Sequence, residues 1–179
     1  HTVSFELAHE MPWAPKGHVV SWAQFKVPFD VAPPPERSVE KLAAITLSQV
    51  PGELVAHNDS FSIAINTDSG SISSYNMGGR ELLTAPLEPN YWRAPTDNDR
   101  GNGMPQRQGV WQLASLHRVT TSVKGEQTSA NVVKVTATAK LAAGSATQSY
   151  LYTIHGDGSV EVDRCVESGG APRPDLLRV

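Results

Sequence analysis

A single cysteine, Cys165, stands in the 179 residues. That scarcity excludes an internal disulfide and a cysteine-based zinc site. Within VEVDRCVE it falls at strand spacing and is expected to be a small buried apolar residue rather than a reactive thiol. Charge of one sign is also scarce. A net charge of −3 and a pI near 6.1 leave no basic face for nucleic acid or an anionic membrane surface. No apolar run approaches the ~20 residues that span a bilayer, and the first residues lack the segments of a signal peptide. A soluble, cytoplasmic protein is therefore expected. Nucleophile elbows, phosphate-binding loops and the HExxH pattern are missing, and His9, His18, His57 and His117 lack metal-ligand spacing to one another.

What the sequence does have is a period of two. TVSFELA alternates Val3, Phe5 and Leu7, and VVSWAQFKV sets Val19, Ala23, Phe25 and Val27 opposite Trp22. SFSIAIN alternates Phe61, Ile63 and Ile65, then turns through Asp68 and Gly70 into SISSYNM, the pattern of a hairpin. In VVKVTATAKL, Val133, Val135, Ala137, Ala139 and Leu141 share a face against a wet one. SYLYTIH and SVEVDRCV flank GDGS as a further hairpin, and only VWQLASLHR competes as a short helix. Hairpins at short intervals without helical crossovers predict an all-β, antiparallel sandwich. VPFDVAPPPERSVEKL carries three consecutive prolines and reads as a linker. The expected organisation is 1–30, then a proline-rich linker over 31–50, then 51–179. PDLLRV resumes a strand pattern at Val179 and the first residues begin inside one, so a segment of something larger is expected.

The least bland stretch is NYWRAPTDNDRGNG, residues 90–103. It opens a calcium-loop pattern that then fails: Gly101 stands where an oxygen ligand is needed, Asn102 where glycine is, and Gln108 where glutamate is. Glycoside hydrolysis needs two carboxylates, one of them kept protonated. Asp97 and Asp99 lack an apolar wall to do so, and Glu161 and Asp163 share the face of Cys165 as solvated groups. No catalytic set and no metal site is assigned within the chain. The remaining reading is a pinned loop. Asp97 and Asn98 close Asx-turns, Arg93 and Arg100 hold the acidic side chains, and Asp97 takes several donors. Tyr91 and Trp92 are both expected to fill the sandwich edge, with stacking on a sugar as the alternative for either.

This stretch, with the preceding GRELLTAPLEP and the following VWQLASLHR, closely resembles the start of the last domain of large bacterial β-galactosidases of glycoside hydrolase family 2. GHVVSWAQFKVP is similar to the closing strands of the immunoglobulin-like domain before it. The resemblance implies a truncated sandwich of galactose-mutarotase-like type, preceded by strands of an immunoglobulin-like sandwich. It implies a retaining enzyme acting on terminal β-D-galactosides, whose catalytic glutamates lie on a (β/α)₈ barrel of the same or a partner chain. It further implies a homo-oligomer, with magnesium and a monovalent cation in the full-length enzyme and no cofactor in this segment. Carried onto these positions, Gly101 through Gly109 resemble a loop near the mouth of the barrel site, and Asp97, Asn98, Asp99, Arg100, Gly101, Asn102 and Gly103 form a rim at the substrate site. Trp92 and Arg93 support it, and Gly101 and Gly103 act as hinges. The family's domain is longer, and the part beyond Val179 supplies a late aromatic to the sugar site. The alternative expectation is a carbohydrate-binding or interaction module without hydrolase activity.

Overall fold

The computed structural model describes residues 1–27, 32, 38–143, 146–167 and 174. The chain divides into two compact units, 1–37 and 38–179. In the first, β1 (Thr2–Glu6) pairs antiparallel with β2 (Val19–Gln24), Val3 opposite Ala23 and Ser4 opposite Trp22, with a bulge at Phe5/Glu6. The pleat therefore puts Val3 and Phe5 on one face and Trp22 on the other. Phe5, Trp22 and Phe25 are all more than half exposed. A two-stranded hairpin has no second layer with which to bury either face.

The second unit is built from two antiparallel sheets. One is a meander of β3 (Thr46–Val50), β4 (Glu53–His57), β5 (Phe61–Asn66), β6 (Ile72–Met77) and β7 (Arg80–Glu81), in that spatial order. The other holds β8 (Arg118–Ser129), β9 (Val132–Leu141), β10 (Thr147–His155) and β11 (Val160–Glu167), ordered β11-β10-β9-β8. Strands adjacent in sequence pair throughout each sheet, as expected for hairpin connections.

The alternating residues form the core. Phe61, Ile63 and Ile65 of one sheet pack with Val133, Val135 and Ala137 of the other, joined by Tyr152 and Ile154. This makes the sandwich. Close approach requires glycine at position 70: φ is +70°, and a Cβ there would stand 2.8 Å from the Cβ of Ala137. The Tyr152 hydroxyl donates to the Gly70 carbonyl at 3.0 Å, which ties the turn to the facing sheet.

Three expectations need correction. Thr46–Val50, assigned to the linker, is a strand: Ile45 N donates to Ala130 O at 2.9 Å, and the Gln127 side chain donates to Ile45 O at 2.7 Å. These bonds stitch β3 to the edge of β8. Residues 31 and 33–37 of the expected linker, and 175–179 of the expected final strand, lie outside the described residues. Strand β8 was missed altogether, because RVTTSVKGEQTS is an edge strand with few apolar groups. Its Val123 packs on the core, while Gly125 sits where a Cβ would meet Leu47 at 2.9 Å. Cys165 is exposed, not buried. It pairs with Ser149 on the outer face of edge strand β11, the face it shares with Glu161 and Asp163.

Candidate functional site

The connection between the two sheets carries NYWRAPTDNDRGNG and three short helices: α1 (Asp97–Gly101), α2 (Met104–Gln108) and α3 (Val110–Leu116). It rests on a second core of Tyr91, Trp111, Ala114, Leu141, Ala143 and Ala146, against which Trp92 packs half-buried. Tyr91 is completely buried. Its ring lies 5.9 Å from that of Trp111 between centroids, and the Arg164 guanidinium stands 4.5 Å from its centroid. Its hydroxyl donates to the buried Gln148 Oε1, and its backbone N–H donates to Ser115 Oγ at 2.8 Å. Burial pushes the Tyr91 hydroxyl's pKa up, and Arg164 opposes the shift. Core packing of Tyr91, expected from its strand-end position, is what the structure has.

Beyond Trp92 the chain folds on itself. Arg93 grips Asp99 with two parallel bonds, Nη1 to Oδ2 at 2.5 Å and Nη2 to Oδ1 at 2.9 Å. Thr96 donates to the same Oδ2 through its backbone N–H and its hydroxyl, each at 2.8 Å. Its Oγ1 in turn accepts from the Asp99 N–H at 3.3 Å, completing a capping box for α1. The Arg93 guanidinium, and after it Thr96, hold the Asp99 carboxyl far below the usual carboxylate range.

The pinned residue is therefore Asp99, and Asp97, expected to take several donors, is not held. Its side chain is fully exposed, and among the described residues its partner is Arg100 Nη1 at 3.6 Å. The Asx-turns expected at Asp97 and Asn98 give way to helix, because Thr96 to Asp99 supplies the Ser/Thr-x-x-acid cap pattern. That signal was in the sequence, and with it Thr96 would have been found. Tyr91's partners Gln148 and Arg164 lie 57 and 73 positions away, and no local pattern marks them.

The rest of the rim is exposed at Asn98, Arg100, Gly101 and Asn102. Gly101 and Gly103, both read as hinges, differ. Gly101 is helical, with nothing within 4 Å of a built Cβ, whereas Gly103 has φ +71° in the left-handed region. The latter caps α2 and turns the chain back toward buried Met104, while Arg107 donates to the Asn102 carbonyl and, at 3.2 Å, to its Oδ1.

Asp99 is unsuited to general-acid work, since an acid must hold its proton near the working pH. Glu161 is exposed on the outer face of β11, with His155 Nε2 3.3 Å away. Among the described residues no three His, Cys, Asp or Glu side chains gather around a common point. No helix among them is long and apolar enough to cross a membrane.

Residues 57–179 match the family model described as beta galactosidase small chain, and residues 1–28 match beta-galactosidase domain 4. A beta-galactosidase of Priestia megaterium is 30% identical over 91% of this chain and 16% of its own length. One from Halalkalibacterium halodurans is 30% identical over 98% of this chain and 17% of its own. A beta-galactosidase small subunit of Latilactobacillus sakei is 33% identical over 37% of this chain and 22% of its own. The chain thus spans about a sixth of the two full-size relatives. With its family match running through both sheets and the clamped segment between them, the chain belongs to the beta-galactosidase small-chain family.

Proposed function

We propose that the chain is a non-catalytic segment of a retaining β-galactosidase that hydrolyses terminal β-D-galactosides, and that residues 97–103 form part of the substrate rim. The observation that carries this reading is the division of labour in NYWRAPTDNDRGNG. Tyr91 and Trp92 are committed to the second core, Arg93 and Asp99 to each other, and the polar groups of Asp97, Asn98 and Arg100 face outward. A buried base presenting exposed polar side chains is what a rim requires. Hydrolysis itself belongs, on this reading, to glutamates on a (β/α)₈ barrel of the same or a partner chain, in a cytoplasmic homo-oligomer. Any magnesium or monovalent cation of the complete enzyme is assigned to that larger assembly. No step is assigned to an ion on this chain.

The test is steady-state kinetics of the parent enzyme carrying Gly103→Ala. Alanine is strained at φ +71°, so the rim is displaced, and KM and kcat for a chromogenic galactoside should change together. Wild-type kinetics with every galactoside tried would remove the rim assignment. Tight galactoside binding by the isolated chain would favour the carbohydrate-binding alternative.

A further inference from the structure

The hydrogen bonds of residues 93–107 are unusual in their reach. Among the described residues, every side-chain bond in this stretch closes within it: Arg93 to Ala94 and Asp99, Thr96 to Asp99, and Arg107 to Asn102. The loop backbone bonds do the same, Arg100 to Thr96, Asn102 to Asn98, Gly103 to Arg100 and Arg107 to Gly103. The buried side chains Tyr91 on one side and Met104 on the other fix the ends. Between them, the direction in which α1 points is set by two local latches, the Arg93–Asp99 fork and the Arg107–Asn102 pair. The Arg93 side chain is 40% exposed and that of Asp99 13%. Their partners lie within the loop, with no bond to either sheet.

We propose that the Arg93–Asp99 fork is a positioning pair for the substrate rim, orienting α1 so that its exposed Asp97, Asn98 and Arg100 meet the substrate site. The inference rests on the rim reading above. It differs from the simpler expectation that Arg93 stabilises the fold. A fork of two planar groups fixes an angle as well as a distance, which a lysine ammonium cannot do. Because it is confined to the loop, breaking it should disorient α1 and leave the sandwich intact.

The experiment uses the full-length parent enzyme with Arg93→Lys, Asp99→Asn, Arg93→Ala and Gly103→Ala, reading kcat and KM separately beside the melting midpoint. Arg93→Lys and Asp99→Asn should each lower kcat/KM by roughly 10- to 100-fold, the scale of a small misplacement, with the midpoint nearly unchanged. Methylguanidinium at low millimolar concentration should restore part of the activity lost in Arg93→Ala without moving the melting midpoint, whereas a purely structural role would move the two together. The proposal is overturned if the clamp variants keep wild-type kinetics while Gly103→Ala does not. It is equally overturned if they lower the midpoint and the folded enzyme turns over normally. If neither the clamp nor the Gly103 variant alters kinetics, the rim reading itself fails, and the positioning role fails with it.

Discussion

Replacing Tyr91 by phenylalanine removes the polar end of one buried side chain at the base of the rim. The ring keeps its place against Trp111 and under Arg164, and only the hydroxyl that donates to Gln148 Oε1 is lost. Gln148 is 3% exposed, so water cannot replace the donor. The cost is that of a buried unsatisfied acceptor, about 1–3 kcal/mol. For a unit of this size each kcal/mol moves the midpoint by ~2–4 °C, so a fall of roughly 2–12 °C is expected. Gln148→Met alone strands the Tyr91 hydroxyl instead and should cost a similar amount. The double variant removes both polar partners and should recover most of the loss, since two apolar groups in place of a bonded pair are nearly neutral. Equilibrium urea unfolding of the chain, with the m-value checked for constancy, measures all three. A neutral Tyr91→Phe, or a double variant whose loss equals the sum of the singles, would refute the buried bond.

Acid should weaken the fold in a definite window. Glu81 is held at about 2 against an ordinary 4.5 by the Ser74 hydroxyl and then by the Leu83 and Tyr75 amides. A folded-state pKa below the unfolded one contributes stability that is present above the unfolded value and lost as pH falls through the folded one. The urea midpoint should therefore drop between about pH 4.5 and 2, and Glu81→Gln should flatten that drop; an unchanged slope would contradict it. Gly101→Ala should leave the midpoint alone, while Gly103→Ala should cost about 1–2 kcal/mol for a side chain in the left-handed region. Equal shifts from the two glycines, read by the same unfolding curves, would contradict the assigned backbone.

The sandwich was legible because its inner strands alternate cleanly. Phe61, Ile63 and Ile65, and Val133 to Leu141, announce a buried face at period two. Three strands hid, the edge strands β8 and β3 and the inner strand β4. β8 and β3 bury few side chains, so their sequences carry more turn and linker character than strand character. Cys165 was misplaced for a related reason, since residue type outweighed the parity it shares with Glu161 and Asp163. In the rim, Arg93 was readable as a carboxylate clamp. The identity of its partner was not, because Asp97 and Asp99 differ only in where the helix begins, and Thr96 decides that. Tyr91 of the connection meets Gln148 of β10 and Arg164 of β11, a juxtaposition that only the closed fold creates.

The central claim is that the chain serves a galactosidase without performing the chemistry, and hydrolysis of a chromogenic β-galactoside tests it most directly. The purified 179-residue chain and its full-length parent are assayed side by side at equal molarity. The parent should turn over and the chain should not, since Asp99 is locked to Arg93 as a charged group and Asp97 stands in open solvent. Turnover by the chain that disappears on mutating Asp97 or Asp99 would contradict it, as would a folded parent with no action on any β-galactoside.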